Sequence, residues 1–221
     1  MAKTIVHDEL TAKWGGKDHL EVAKERSFAS MIFEMLSEKE PSEGELKVFE
    51  LLLNLSIDHG PDAPSSKATI AAARGGKGMG KSVGAGISEI NEHHGGAIEP
   101  CMKNFISIKN QELNIKGLVE KTLETGERLA GFGHRIYKDK DPRTQLIFRV
   151  LEEHTMGGEY IQIAKGIEAQ LELQKGQKLP INIDGGIAVA LCSFGWDPKL
   201  ANAVFIIART PGLTAHYINN S

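Results

Sequence analysis

Gly131-Phe132-Gly133-His134-Arg135-Ile136-Tyr137-Lys138-Asp139-Lys140-Asp141-Pro142-Arg143 is the densest run of chemistry in the chain and the point from which its helices can be parsed. Loop-forming glycines frame Phe132, a histidine follows, and Arg135, Lys138, Lys140 and Arg143 supply positive charge. The Asp141-Pro142 pair predicts a helix start. The Asp carboxylate accepts from free N–H groups of the first turn, and a proline at the first helical position gives up a hydrogen bond it would not have made. Arg143 then falls in the first turn, beside the loop that carries His134. A loop histidine among arginines and bare glycine backbone suits a polyanionic ligand with a carbonyl group. A solvated, charged surface turn is the bland alternative.

Outward from this stretch, apolar residues recur almost everywhere at helical rather than alternating spacing, so the fold class is all-α. Upstream, Met31, Ile32, Met35 and Leu36 make a helix from Phe28 that stops before Pro41. Ser42 and Glu45 form a capping box that opens a second helix through Phe49 and Leu53. It breaks at Asp58-His59-Gly60-Pro61, leaving His59 in the break. Lys67 to Arg74, Met79 to Ile90, Ile98 to Ile106 and Leu113 to Leu129 read as further helices. Residues 1–25, with a turn at Trp14-Gly15-Gly16, read as an arm that packs on a partner or on the body. Downstream of Pro142, helices follow through Leu151, from Tyr160 through Leu171, and through Ile187 to Phe194. The last runs from Lys199 to Ala208, with Arg209 at its end. Asp184 stands alone in an apolar passage. It is either the N-cap of the Ile187 helix or a carboxylate whose pKa burial raises toward neutrality, as proton transfer at that pH requires.

The segment Gly75-Gly76-Lys77-Gly78-Met79-Gly80-Lys81-Ser82 matches the G-x-x-x-x-G-K-S phosphate loop, with Ile181-Asn182-Ile183-Asp184 as a possible Walker B strand. A phosphate loop should leave a buried strand, whereas Ala68 to Ala73 are helix formers, so a nucleotide-binding protein centred on Lys81 is the runner-up only.

With 221 residues and a net charge of −3, the chain can bury a sizeable core but does not favour nucleic acid or an anionic membrane as its main partner. The longest apolar run, Ala203 to Ala208, is too short to span a bilayer, and the N-terminus has no apolar leader segment. Cys101 and Cys192 sit among apolar neighbours and imply a reduced, cytoplasmic setting. His93 and His94, adjacent at a Gly-Gly break, do not face each other, so no metal is expected there.

These residues resemble the citrate synthase superfamily from about Phe28 to His216. The central stretch is similar to its G-x-G-H-x-x-x-x-x-x-D-P-R signature. Asp58-His59-Gly60, His94-Gly95-Gly96-Ala97, Asn182-Ile183-Asp184 and Ala208-Arg209-Thr210-Pro211-Gly212 to His216 resemble its other motifs. The resemblance implies chemistry that joins acetyl-CoA to oxaloacetate or cleaves citryl-CoA. In it, Asp184 moves the methyl proton, His94 hydrogen-bonds the thioester oxygen and His134 the keto oxygen. His59, Arg143 and Arg209 would hold carboxylates. Gly131, Phe132 and Gly133 would lie against coenzyme A, with Arg135 and Lys138 as phosphate contacts.

The resemblance further implies a large helical domain from residues 1–105 and 185–221, with a small one over 106–184 and the active site in the cleft. Coenzyme A is expected as a thioester substrate rather than a tightly bound cofactor. At least a homodimer is expected, with a synthetase-like subunit as a further partner. The chain is too short for a full citrate synthase, and its outline is similar to citryl-CoA lyase and to the C-terminal lyase domain of ATP citrate lyase. His94 is nevertheless the choice of the synthases, and Ile98 stands where they commonly have asparagine. A minimal synthase and a silent CoA-binding subunit are therefore the alternatives within the family.

Overall fold

The computed structural model describes residues 2–7, 10–91 and 94–221, and the chain divides into two compact units, residues 1–50 and 51–221. His93, one of the two histidines read at the Gly-Gly break, lies outside the described residues. No helix among the described residues is long and apolar enough to cross a membrane.

The first unit opens with a small antiparallel sheet of β1 (Ile5–His7), β2 (Ala12–Trp14) and β3 (Lys17–Asp18), which the helical reading did not anticipate. Ile5 pairs with Trp14 and Lys13 with Asp18, and Gly15 and Gly16 turn between β2 and β3 at positive φ. Two helices follow, α1 (His19–Glu25) and α2 (Phe28–Ser37). The N-terminal segment packs on its own chain: Lys3 N–H donates to the Met35 carbonyl at 2.8 Å, and Trp14 Nε1 donates to Glu34 at 2.9 Å. Burial would raise the Glu34 carboxyl, but hydrogen bonds from Lys3 and Trp14 and the charge of Arg26 outweigh it and hold Glu34 below the usual range.

The capping box forms as read. Glu45 N–H donates to Ser42 Oγ and Ser42 N–H to Glu45 Oε2, at 3.3 and 2.8 Å, opening α3 (Glu43–Ser56), which runs from the first unit into the second. In the second unit α4 (Pro64–Arg74) and α5 (Met79–Ser88) flank the glycine-rich loop, so a helix precedes it where a phosphate loop needs a strand. The nucleotide-binding reading fails for that reason. α6 (Ile98–Lys109) and α7 (Ile115–Thr125) follow, the latter shorter than expected because Gly126 adopts a left-handed φ of 69° and closes it. α8 (Pro142–Glu153) and α9 (Gly158–Lys175) lead to α10 (Ile183–Ser193).

α10 is the centre of the unit. Gly185 through Cys192 are all buried, which an apolar helix with no polar face requires. α6, α8 and α9 surround it, and Ile147 and Thr144 of α8 press on Gly186. After a 3-10 turn over Pro198–Leu200 the chain ends in α11 (Ala201–Ile218). The sequence reading ends this helix at Ala208, with Arg209 at its end, but α11 continues through Pro211 to Ile218. A proline inside a helix costs about 3 kcal/mol. Against that, Leu213 is fully buried, Arg209 is buried, and Gly212, lacking a side chain, admits the Ile57 carbonyl. Arg209 is therefore an interior residue of α11 and not a helix end.

Candidate active site

His59, His94, His134, Arg143, Asp184 and Arg209 line one small cleft of about 170 Å³, although each comes from a different segment of the chain. His59 stands in the loop after α3, and His94 in the turn before α6. His134 lies on the glycine loop, Arg143 in the first turn of α8, Asp184 in the first turn of α10 and Arg209 within α11.

Asp184 is not the cap of α10. Asn182 is: its Oδ1 accepts from the N–H groups of Asp184 and Gly185 at 3.0 and 3.2 Å. Relieved of capping, the Asp184 carboxyl faces the cleft. Burial pushes its pKa up to about 6, against the pull of Arg143 and Arg209. Asn182 also joins the two loops of the site. Its backbone N–H donates to the Gly131 carbonyl at 3.0 Å and its Nδ2 to the Gly133 carbonyl at 2.9 Å, while Gly133 N–H donates to Pro180 at 2.7 Å. Gly131 sits at φ 85° with Cys101 and Gly185 against it, so any side chain would separate the loops.

His134 is anchored at Nδ1. The backbone N–H groups of Ile136 and Tyr137 donate to Nδ1 at 3.1 and 3.0 Å, so Nδ1 carries no proton and the neutral ring holds its proton on Nε2. Burial, reinforced by Arg143, Lys138 and Arg135, keeps the ring below the usual histidine range despite the attraction of Asp141. Arg143 Nη2 lies 3.3 Å from Nε2. Both are donors, and two donors converging on one space call for an acceptor oxygen between them. Arg143 is held in turn by Asp141, which is fully buried and takes Nε and Nη2 at 3.0 and 2.7 Å. The sequence offered Asp141 only as a cap, which it also is, accepting from Arg143 N–H at 3.0 Å.

On the opposite side, burial and the charges of Arg209 and His59 bring the His94 pKa down to about 4, so the ring is neutral. Its Nε2 lies 2.8 Å from the hydroxyl of Ser65, a buried residue of α4 that no sequence pattern marked. Phe205 supports this half of the cleft: the His94 ring meets it edge-on at 5.7 Å and the Arg209 guanidinium lies 4.8 Å from its centroid. Arg209 is 3% exposed, its Nε donates to the Ser56 carbonyl at 2.9 Å, and its Nη1 is buried with no hydrogen-bond partner. A buried, unsatisfied guanidinium N–H is costly unless a ligand meets it. His59 is held low by burial and by Arg143 and Arg209, and a hydrogen bond between His216 Nε2 and Asp58 Oδ1 at 2.9 Å ties its loop to α11.

A second cavity of about 540 Å³ borders the other side of His134. Phe132, Gly133, Arg135 and Lys138 line it as the sequence reading had them together, whereas Gly131 lies beneath, against Cys101. The reading missed Arg128 and Lys175, which bring further positive charge to a wall of Leu123, Leu129, Leu171 and Leu179. Among the described residues, no group of histidine, cysteine and acidic side chains could hold a metal ion.

A helical scaffold that gathers neutral histidines, arginines and one carboxylate of raised pKa around a small cleft, with a larger cationic cavity alongside, has the parts of an enzyme that moves protons on anionic carbonyl compounds. The family described as "Citrate synthase, C-terminal domain" matches residues 3–221. Citryl-CoA lyase from Hydrogenobacter thermophilus superposes with a TM-score of 0.92 at 33% identity, covering 98% of this chain and 84% of that one. A citrate synthase from Synechocystis is 32% identical over 91% of this chain and 52% of its own length. A probable ATP-citrate synthase from Dictyostelium discoideum is 32% identical over 78% of this chain and 30% of its own length. The chain thus spans between about a third and just over half of these curated relatives. It belongs to the citrate synthase family.

Proposed function

We propose that this chain cleaves citryl-CoA to acetyl-CoA and oxaloacetate, and catalyses the reverse condensation, through an enol of acetyl-CoA. The observation that carries this reading is the buried Asp184 carboxyl, raised to about 6, lining one cleft with the neutral rings of His94 and His134 and with Arg209, whose buried Nη1 lacks a partner.

In the condensing direction Asp184 takes a proton from the thioester methyl group, and its raised pKa brings it closer to the basicity this needs. His94 donates to the thioester oxygen as enol character develops, with Ser65 holding the far side of the ring. The methyl carbon bonds to the keto carbon of oxaloacetate. The oxygen that becomes hydroxyl develops against His134 Nε2–H, which supplies its proton. Arg143, with Arg209 and His59, binds the carboxylates. Cleavage is the same sequence in reverse, with Asp184 returning the proton to the nascent methyl group. Coenzyme A is a substrate here, its nucleotide end in the second cavity, where Arg128, Arg135, Lys138 and Lys175 meet its phosphates and the leucine wall its apolar parts.

The cleaving direction is favoured over a minimal synthase by the neighbour named citryl-CoA lyase, 84% of which this chain covers, against about half of the citrate synthase. A homodimer is part of the proposal. Gly80 and Gly84 of α5 face open space beside a partly exposed Met79, and glycine weakens a helix by about 1 kcal/mol each unless close packing uses it. A synthetase-like partner subunit is suggested by the relative named ATP-citrate synthase. The test is steady-state kinetics with citryl-CoA and with acetyl-CoA plus oxaloacetate. Turnover of citryl-CoA with a kcat lost on Asp184→Ala supports the proposal, and inertness toward both substrates overturns it.

A further inference from the structure

Tyr137 is a large aromatic residue on the loop between α7 and α8, 36% exposed, and the reaction above gives it no task. Its ring nonetheless lies on the imidazole of His134, with centroids 4.7 Å apart and planes 26° from parallel. The Arg143 guanidinium carbon is 5.8 Å from the centroid of the same ring. The Tyr137 backbone N–H is one of the two donors to His134 Nδ1. One residue therefore touches both groups that converge on the keto oxygen, through its ring and through its backbone.

We propose that Tyr137 is a positioning residue that sets the ring plane of His134, and with it the convergence of His134 Nε2–H and Arg143 Nη2 on one acceptor. Hydrogen bonds at Nδ1 fix one point of an imidazole and leave its plane free to tilt. A stacked ring removes that freedom, because offset stacking is favourable only when the planes stay nearly parallel. Without the stack the imidazole swings toward solvent. Arg143, anchored by the buried Asp141, stays behind and the pair of donors no longer shares a target. The charged and titratable groups that act on His134 include Asp141, Arg143, Lys138, Arg135 and His59, and none of them is removed by a change at Tyr137. Because the side chain is more than a third exposed, its loss does not open a core cavity.

The assignment rests on the role proposed for His134, and the test separates the two. Full-length protein with ¹⁵N-labelled histidine is made as wild type, Tyr137→Phe and Tyr137→Leu, and the His134 ring nitrogens are followed by NMR through a pH titration alongside kcat and KM. Tyr137→Phe keeps the ring plane and should match wild type in titration and in kcat. Tyr137→Leu, with an unchanged melting temperature, should titrate His134 upward toward an ordinary histidine and lower kcat about 3- to 10-fold, the range expected for losing one aromatic stack. A His134 titration in Tyr137→Leu identical to wild type would overturn the proposal, as would Tyr137→Phe behaving like Tyr137→Leu. Inactivity of all the proteins would sink the lyase reading, while the ring titration still decides the role of Tyr137.

Discussion

Replacing Asp184 by asparagine should abolish activity and at the same time stabilise the protein, and the stabilisation should appear only above acidic pH. The carboxyl rises from 3.8 to about 6 on folding because burial disfavours its charge more than Arg143 and Arg209 favour it. At about 1.4 kcal/mol per pKa unit, keeping Asp184 ionised in the folded state costs about 3 kcal/mol. The sign follows from the direction of the shift. Between pH 4 and 6 the folded chain holds a proton that the unfolded chain has released, so the Asp184 contribution to stability falls as pH rises and its cost is fully present above about 6. A neutral amide of the same shape removes that cost. Denaturant titrations should show the variant about 3 kcal/mol more stable than wild type at pH 8, equivalent to a melting temperature about 6 to 12 °C higher, and nearly equal to it at pH 4. His59, His94 and His134, all held below the ordinary histidine range, make both proteins lose stability as pH falls, but this common loss cancels in the difference. Loss of a general base costs on the order of 10²- to 10⁴-fold in rate. A variant no more stable than wild type at pH 8, or one stabilised equally at both pH values, would refute the reasoning.

Ser65→Ala removes the partner of His94 Nε2 and leaves the imidazole free to exchange tautomers. It should lower kcat on the order of 10-fold while leaving the KM for oxaloacetate unchanged, checked by steady-state kinetics, since loss of one hydrogen bond to a polar ring costs about 1 kcal/mol. Reversing the charge of the second cavity with Arg128→Glu and Lys175→Glu should raise the KM for acetyl-CoA at least 10-fold at low salt. The same change should leave the reaction of a short pantetheine thioester unaffected, because that ester lacks the nucleotide phosphates.

The helices and their starts were legible because caps and apolar periodicity are local. The Ser42–Glu45 box and the Asp141 cap form as the residue types dictate, and α10 is buried all round as its composition requires. The residues lining the cleft were legible as a set only through their resemblance to a family, since spacing alone could not say that His59, His94 and Asp184 meet. What escaped depends on contacts between distant segments. Nothing near Pro211 announces that α11 passes through it, because the compensation comes from the Ile57 carbonyl lodged against Gly212. Ser65 looks like any small helical residue until His94 arrives opposite it. Asp141 hides its grip on Arg143 behind a familiar capping signal, and Asn182 capped the helix that the isolated carboxylate two residues on was suspected of capping. The short N-terminal strands were unreadable because a few exposed residues carry too little pattern to alternate.

The central claim, that Asp184 carries a proton between solvent and the methyl carbon of acetyl-CoA, is tested most directly by cleaving citryl-CoA in deuterated water and weighing the acetyl-CoA formed. Wild-type protein should deliver oxaloacetate together with acetyl-CoA carrying one deuterium in its methyl group, and Asp184→Asn should deliver neither. Acetyl-CoA released at an undiminished rate by the Asp184→Asn protein would contradict the account.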